Sequence, residues 1–353
     1  MNADNTKTTR RHPVRTAFHV ACGTAVAGAA VLLAAGELLF QVALDTQSEQ
    51  SLFRRKADGK YDSFDHTPAN VDGASLDWFE STRQPVRILS QDRLKLHAWK
   101  FDPDSGRPLP HAYAICLHGY TGGPAEMAPW AHHYAQMGFT VLVPAARGHE
   151  RSQGRYVTFG WEERRDLMGW INKILAIDPH ARILLHGNSM GAATVMLALG
   201  EPTLPRAVRA AVVDSGYVSE TGQLTDNVAG MLHLPRGMAG WIVSAADVVN
   251  RVRLGFPFSK ADCLAALGKC RIPVLFIQGT KDEIVSPGSI DLLFAADAGT
   301  GRERLVVEDA GHTASMATNP ALYWSTVDAF VRRWIPVKVP NPVVATAKKL
   351  FGR

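Results

Sequence analysis

The run Ile183-Leu184-Leu185-His186-Gly187-Asn188-Ser189-Met190-Gly191-Ala192-Ala193-Thr194 constrains this chain more than any other stretch. It reads as a short apolar strand, a Gly-x-Ser-x-Gly turn and the small-residue start of a helix. A serine held on so tight a strand-to-helix turn projects its hydroxyl out of the sheet, and the flanking glycines let neighbouring backbone come close. The helix that follows aims its N–H groups and positive dipole end at the same spot, where negative charge would develop on an attacked carbonyl. The five-residue pattern is common by chance, and a surface turn with an incidental serine would match it equally well. Its weight therefore comes from context: β-forming residues precede it and the helix formers Ala192 to Leu199 follow.

The surrounding chain has a consistent rhythm. Val86–Ser90 and Leu94–Trp99 flank Gln91-Asp92-Arg93 with strand alternation, which predicts a hairpin. Apolar strands are then expected at Ala112–Leu117, Thr140–Val143, Ile183–Leu185, Ala210–Val213, Val274–Gln278 and Arg304–Val307. Helices are expected between and after them at Pro124–Met137, Trp161–Ile177, Gly191–Leu199, Ile290–Ala295 and Ala321–Trp334. Strands alternating with helices of this length mean βαβ units and a mostly parallel sheet covered on both faces. One connection breaks the rhythm. Nearly sixty residues separate the strand ending at Val213 from the one starting at Ile272. This insertion, residues 215–271, carries Met231, Leu232, Leu234, Met238, Trp241, Ile242, Val243, Phe256 and Phe258, either as the apolar underside of a lid or as packing against the body.

The formal charge of +5 invites a nucleic-acid reading, but the excess lies at the two ends. Residues 1–16 carry a net +3 and residues 337–353 a net +4, which leaves −2 for everything between and excludes a polyanion-binding body. Behind the basic start, Thr16 to Gly36 is a 21-residue run without formal charge if His19 is neutral, long enough to cross a hydrocarbon core of about 30 Å as a helix. A signal peptide has a shorter apolar core, roughly 7–15 residues, ahead of a small-residue cleavage site, a part that Ala34-Ala35-Gly36 can play. The length favours an uncleaved anchor, with the basic tail cytoplasmic and the body outside, although Arg54, Arg55 and Lys56 beyond the span oppose that orientation. The expected organisation is a basic tail (1–15), a transmembrane anchor (16–36), a polar spacer resting on the body (37–84), an α/β domain (85–335) and a second basic tail (336–353). Four cysteines make no disulfide framework. Cys263 and Cys270 would lie about 10 Å apart on one continuous helix, too far to bridge, and would come within reach only if Gly268 broke it.

A serine hydroxyl needs a base, and the base needs an orienting acid. Asp282 follows the strand Val274–Gln278 and His312 follows the strand Leu305-Val306-Val307, so both sit in loops past strand ends, where open α/β sheets place their sites. Glu283 is the weaker neighbouring acid, and Asp214, directly after the preceding strand, is the serious competitor. His132-His133 reads as a solvated helix face. Two N–H groups would stabilise an oxyanion: that of Met190, after the serine, and one from Leu117-His118-Gly119-Tyr120-Thr121-Gly122-Gly123, best supplied by Tyr120. That glycine cluster lacks the Gly-Lys-Ser/Thr ending of a phosphate loop. No His-Glu-x-x-His or paired-cysteine spacing suggests a metal, and no cofactor is expected.

Residues 85–335 resemble the α/β-hydrolase superfamily through His118-Gly119, Arg147-Gly148-His149 with Ser152 and Gly154, Gly187-Asn188-Ser189-Met190-Gly191, Asp282 with Val285, and Gly311-His312. The run His186 to Val195, with Trp161 upstream and Asp214-Ser215-Gly216-Tyr217 downstream, is similar to single-pass, membrane-anchored bacterial hydrolases of undefined substrate. The resemblance implies an eight-stranded, largely parallel sheet with a helical lid, and a serine-hydrolase triad of Ser189, Asp282 and His312. It departs from many relatives at Ala145, where they carry an acid, and at Glu150, where they carry glycine. The expected activity is hydrolysis of small acyl substrates, lipid-like ones among them: carboxylic esters first, then thioesters or amides, with peptidase and acyltransferase chemistry behind them. The competing class is a catalytically silent binding protein on the same fold.

Overall fold

The computed structural model describes residues 13–57 and 72–336. Its centre is an eight-stranded sheet in the order β1-β2-β4-β3-β5-β6-β7-β8. The strands are β1 (Gln84–Leu89), β2 (Lys95–Phe101), β3 (Ala112–Leu117), β4 (Thr140–Pro144), β5 (Arg182–Asn188), β6 (Val208–Asp214), β7 (Val274–Gly279) and β8 (Glu303–Val307). The expected hairpin is β1 and β2, paired antiparallel, and β2 meets β4 antiparallel. From β4 to β8 every pairing is parallel.

The continuous apolar runs exist because both faces of the sheet are buried. On β5, Ile183 and Leu185 point into one core layer and Leu184 into the other. On β6, Ala211 and Val213 share the first layer while Ala210 and Val212 share the second. Helices α5 (Glu163–Ile177), α6 (Met190–Leu199) and α10 (Ser289–Ala296) cover the first face, joined by Phe53 of the short α2 (Leu52–Ala57). Helices α3 (Gly73–Thr82), α4 (Ala128–Gln136), α11 (Ser315–Thr318) and α12 (Pro320–Trp334) cover the second. The single helix expected over Pro124–Met137 is two elements, a 3₁₀ turn at Pro124–Met127 and then α4. Pro129 accounts for the break: it lacks an N–H and fits the first turn of a new helix better than the interior of an old one. His132 and His133 are not a solvated face. His133 stacks on Trp324 at 3.7 Å between ring centroids and bonds Asp328 at 2.8 Å, while His132 stacks on Trp78 at 4.6 Å.

The N-terminal helix α1 runs unbroken from Pro13 to Ala43, 31 residues. Its window Val26–Ala43 has a mean hydropathy of 1.9 and is long and apolar enough to cross a membrane. Where a spacer was expected from residue 37, the helix continues and lies on the body, with Phe40, Ala43 and Leu44 buried. It rests on α8 (Arg236–Leu254), the long helix of the insertion. Gly36 makes the contact close: a Cβ there would stand 2.5 Å from backbone atoms of Ala245 and Ala246. Glu37 bonds Arg253 at 2.5 Å, and the Arg253 guanidinium lies 4.8 Å from the centre of the Phe40 ring. Beyond the helix, the buried Asp45 pairs with Arg155 at 2.8 Å and Thr46 N–H bonds the Arg155 carbonyl, so this strap is stitched to the body. Residues 1–12, 58–71 and 337–353, which hold both basic tails apart from a few residues and part of the expected spacer, lie outside the described residues.

The insertion itself is helical: α7 (Glu220–Leu232), α8, a 3₁₀ turn at Phe258–Lys260 and α9 (Cys263–Leu267). α9 does end at Gly268, but Cys263 and Cys270 are separate buried thiols. Burial pushes the Cys270 thiol up to about 12, which leaves it protonated and unreactive.

Candidate active site

Parallel strands β5, β6, β7 and β8 lie side by side, so the loops leaving their C-terminal ends converge. Ser189 is the turn residue between β5 and α6, with φ 53° and ψ −113°. A non-glycine residue in that region stores roughly 1–3 kcal/mol of strain, which the fold must hold elsewhere. Two glycines make the turn possible by close approach. A Cβ on Gly187 would stand 2.3 Å from the Gly191 carbonyl, and one on Gly191 would stand 2.2 Å from the Leu117 carbonyl. The second contact brings the start of α6, where Met190 lies, against the end of β3 and the loop that carries Tyr120.

His312 Nε2 lies 2.9 Å from Ser189 Oγ, and His312 Nδ1 lies 2.8 Å from Asp282 Oδ2. A carboxylate can only accept, so Nδ1 carries the proton and Nε2 is left to accept from the serine hydroxyl. The side chain of Asp282 is fully buried and that of His312 is 12% exposed. Asp282 is fixed from four directions: Ile284 and Val285 N–H donate to Oδ1 at 2.9 and 2.8 Å, and Gln278 Nε2 and His312 Nδ1 donate to Oδ2 at 2.7 and 2.8 Å. Glycine again sets the spacing, since a Cβ on Gly279 would stand 2.2 Å from the Ala310 carbonyl. The loops of Asp282 and His312 are thereby held together. Glu283 is exposed.

Asp214, the competing acid, points elsewhere. Its oxygens accept from Tyr323 Oη and Ser215 Oγ, both at 3.0 Å. Burial pushes its carboxyl up to about 6. Because that value is raised, ionising Asp214 costs folding stability; the cost is absent below the unfolded value of about 4 and complete above about 6. Asp214→Asn removes it, so the melting temperature of the variant relative to the parent should rise between pH 4.5 and pH 7.5. A difference that stays constant over that range would contradict this assignment.

The loop of Tyr120 comes close to the serine: a Cβ on Gly119 would stand 3.7 Å from Ser189 Cβ. The Gly119 N–H is directed to Glu126 at 3.3 Å. Tyr120 is fixed through its carbonyl, which accepts from His149 Nε2 at 2.6 Å, through its ring, stacked on Phe159 at 4.9 Å, and through its hydroxyl, which donates to the Ala43 carbonyl of α1. The Arg-Gly-His run thus acts one step back from the site. His149 braces the Tyr120 loop, while Arg147 makes a two-pronged pair with the buried Asp166, both contacts 2.8 Å. Neither Ala145 nor Glu150 lines the cavity; Ala145 is buried and Glu150 accepts from the Trp99 indole.

Ser189 and His312 open into a cavity of about 440 Å³. Its walls come from Tyr120 and Phe159, from Leu224, Met231, Leu232 and Ile242 of the insertion, and from Leu38, Leu39 and Val42 of α1. The two roles foreseen for the insertion are divided among its residues. Met231, Leu232 and Ile242 line the cavity, Val243 and Phe258 pack into the core, Phe256 lies beside Trp161, and Met238 and Trp241 face outward. Several supporting residues were not singled out from sequence. Gln278 carried a signal, as a buried amide closing an otherwise apolar strand; Leu38, Leu39 and Val42 carried none, since they look like the rest of an apolar helix.

A largely parallel sheet with a strained serine after one strand, and an acid and a histidine after later ones, defines an α/β hydrolase. A model of the Alpha/beta hydrolase family matches residues 114–325, and the chain belongs to that family. It is 25% identical over 217 residues to a thermostable monoacylglycerol lipase of Bacillus sp. (strain H-257), covering 57% of this chain and 83% of the lipase. It is 24% identical over 326 residues to the alpha/beta hydrolase domain-containing protein WAV2 of Arabidopsis thaliana, covering 90% of this chain and 94% of that protein. The esterase Pf2001 of Pyrococcus furiosus superposes with a TM-score of 0.59 at 25% identity, over 75% of this chain and 95% of the esterase. These esterase and lipase neighbours support hydrolase activity.

Proposed function

We propose that the chain is a membrane-anchored serine hydrolase that cleaves carboxylic esters through an acyl-enzyme. Ser189 Oγ attacks the ester carbonyl as His312 Nε2 takes its proton, and Asp282 holds the imidazole and offsets its charge. The oxyanion is stabilised by the N–H groups of Met190, at the positive end of α6, and Tyr120. His312 returns the proton to the departing alcohol, and water then releases the acid by the same steps in reverse order. The observation that carries this reading is the hydrogen-bonded series Asp282–His312–Ser189, at 2.8 and 2.9 Å, set at an apolar cavity. A silent binding scaffold has no use for that series. The anchor is the part of α1 before the body, with the basic N-terminal residues cytoplasmic and the body outside, supported by the 21-residue uncharged run Thr16 to Gly36 behind a basic start.

An apolar cavity of this kind favours an acyl chain, since each buried methylene contributes about 0.8 kcal/mol. On p-nitrophenyl esters, kcat/KM should rise from acetate towards medium chains by up to roughly fourfold per methylene. Leu39→Ala and Ile242→Ala should flatten that rise more than they slow acetate hydrolysis. A flat profile in the parent would remove the acyl-pocket assignment, and the absence of any ester hydrolysis would favour the binding scaffold.

A further inference from the structure

We propose that the active-site cavity opens directly into the lipid bilayer, between α1 and the α7–α8 tip, and takes a single-chain lipid ester sideways from the membrane. This rests on the hydrolase and anchor readings and names their substrate class and its route.

The first observation is that α1 is both the apolar helix and a wall of the cavity. Leu38 and Leu39 face the same space as Ser189 and His312, within one turn of the point where α1 leaves the body at Gly36. The uncharged part of the arm beyond that point, residues 16–35 behind Arg15, makes about 30 Å of helix at ~1.5 Å per residue. A hydrocarbon core is about 30 Å thick. The arm therefore spans it with almost no slack, and the bilayer surface must meet the body where the cavity is.

The second observation is the direction of α8. Gly36 touches Ala245 and Ala246, and further along α1 Glu37 and Phe40 meet Arg253, so the two helices run parallel. The start of α8 and the end of α7 consequently point the same way as the membrane arm. At that tip Leu232, Met238 and Trp241 are 56%, 48% and 66% exposed. Met238 lies seven residues before Ala245, about 10 Å at ~1.5 Å per residue. That matches the roughly 5–10 Å to which interfacial amphipathic segments sink into a bilayer. A tryptophan and methionines exposed to water would be a liability; in the interface they are anchors.

The third observation is the rim. Leu38, Met231 and Leu232 both line the cavity and are about half exposed, so its mouth is apolar and adjoins the same surface. One cavity of about 440 Å³ accommodates one acyl chain with its ester at Ser189 and the headgroup towards the interface. A two-chain lipid would leave its second chain without a place.

The test uses the full chain in phosphatidylcholine vesicles, with 1-oleoylglycerol in the same bilayer as one substrate and p-nitrophenyl butyrate in water as the other. Met238 and Trp241 face outward, so the double variant Met238→Glu, Trp241→Glu should fold. Its hydrolysis of the embedded ester should fall at least tenfold, while kcat/KM for the water-soluble ester stays within twofold. In parallel, Met238→Cys in a Cys22→Ser background, labelled with a fluorophore, should be quenched by lipids brominated in the acyl chains. Equal losses on both esters, no loss on either, or no quenching would overturn the proposal. A parent that cleaves p-nitrophenyl butyrate but not embedded 1-oleoylglycerol defeats the bilayer route alone. A parent that cleaves neither ester and is not labelled by a fluorophosphonate defeats the hydrolase reading, and this proposal with it.

Discussion

Ser189→Ala is expected to lower kcat on p-nitrophenyl butyrate by about 10⁴- to 10⁶-fold, the range seen when a nucleophile acting with its base and acid is removed. Asp282→Asn should cost about 10⁴-fold, because an amide in that position stabilises the wrong imidazole tautomer and offers no charge to the imidazolium. Its remaining partners make the loss specific: Ile284 and Val285 N–H still find the amide oxygen, so the loop should keep its shape. Asp214→Asn is the control. Asp214 bonds Tyr323 and Ser215 and stands outside the series, so its variant should keep activity within about tenfold of the parent. Steady-state kinetics of the three purified variants check this. If Asp214→Asn is the dead enzyme and Asp282→Asn the live one, the acid has been misassigned.

The second large effect concerns the seat of α1. Gly36→Ala places a methyl 2.5 Å from the backbone of Ala245 and Ala246, and backbone cannot swing aside as a side-chain tip can. Overpacking of this kind costs about 1–3 kcal/mol or more. In a chain of this size the melting temperature should fall by roughly 2–4 °C per kcal/mol. Gly28→Ala on the same helix meets nothing within 4 Å and should be neutral, or stabilising through helix propensity. Because Leu38, Leu39 and Val42 follow Gly36 on the helix, its displacement should also blunt the preference for longer esters. Thermal unfolding of both variants in detergent, with the chain-length profile measured alongside, decides it. Equal melting temperatures for the two variants would mean that α1 does not rest on α8 as described.

Much of the site was legible because its determinants are local. The turn at Ser189 is written in five consecutive residues, and Asp282 and His312 each sit in a loop after an apolar run, so strand order alone makes them neighbours. The distinction between Asp282 and Asp214 is less legible, since both follow a strand; the partners that turn Asp214 away, Tyr323 and Ser215, include one more than a hundred residues distant. The same limit explains His133, whose helix pattern looks solvated until Trp324 and Asp328 arrive from α12. It also explains α1. Its apolar run was plain, but its continuation to Ala43 depends on a glycine meeting alanines some two hundred residues later. The residues of the insertion could be recognised as apolar, yet their division among cavity, core and surface depends on how α7 and α8 lie on the body.

The central claim is that Ser189 is a nucleophile made reactive by His312. Its most direct test is to treat the full chain with a fluorophosphonate, digest it and measure the mass of the peptide that contains Ser189. The account predicts a single phosphonyl adduct on that serine, lost in Ser189→Ala and strongly slowed in His312→Ala. An unmodified Ser189 in protein that hydrolyses esters, or an adduct on another residue that survives Ser189→Ala, would contradict it.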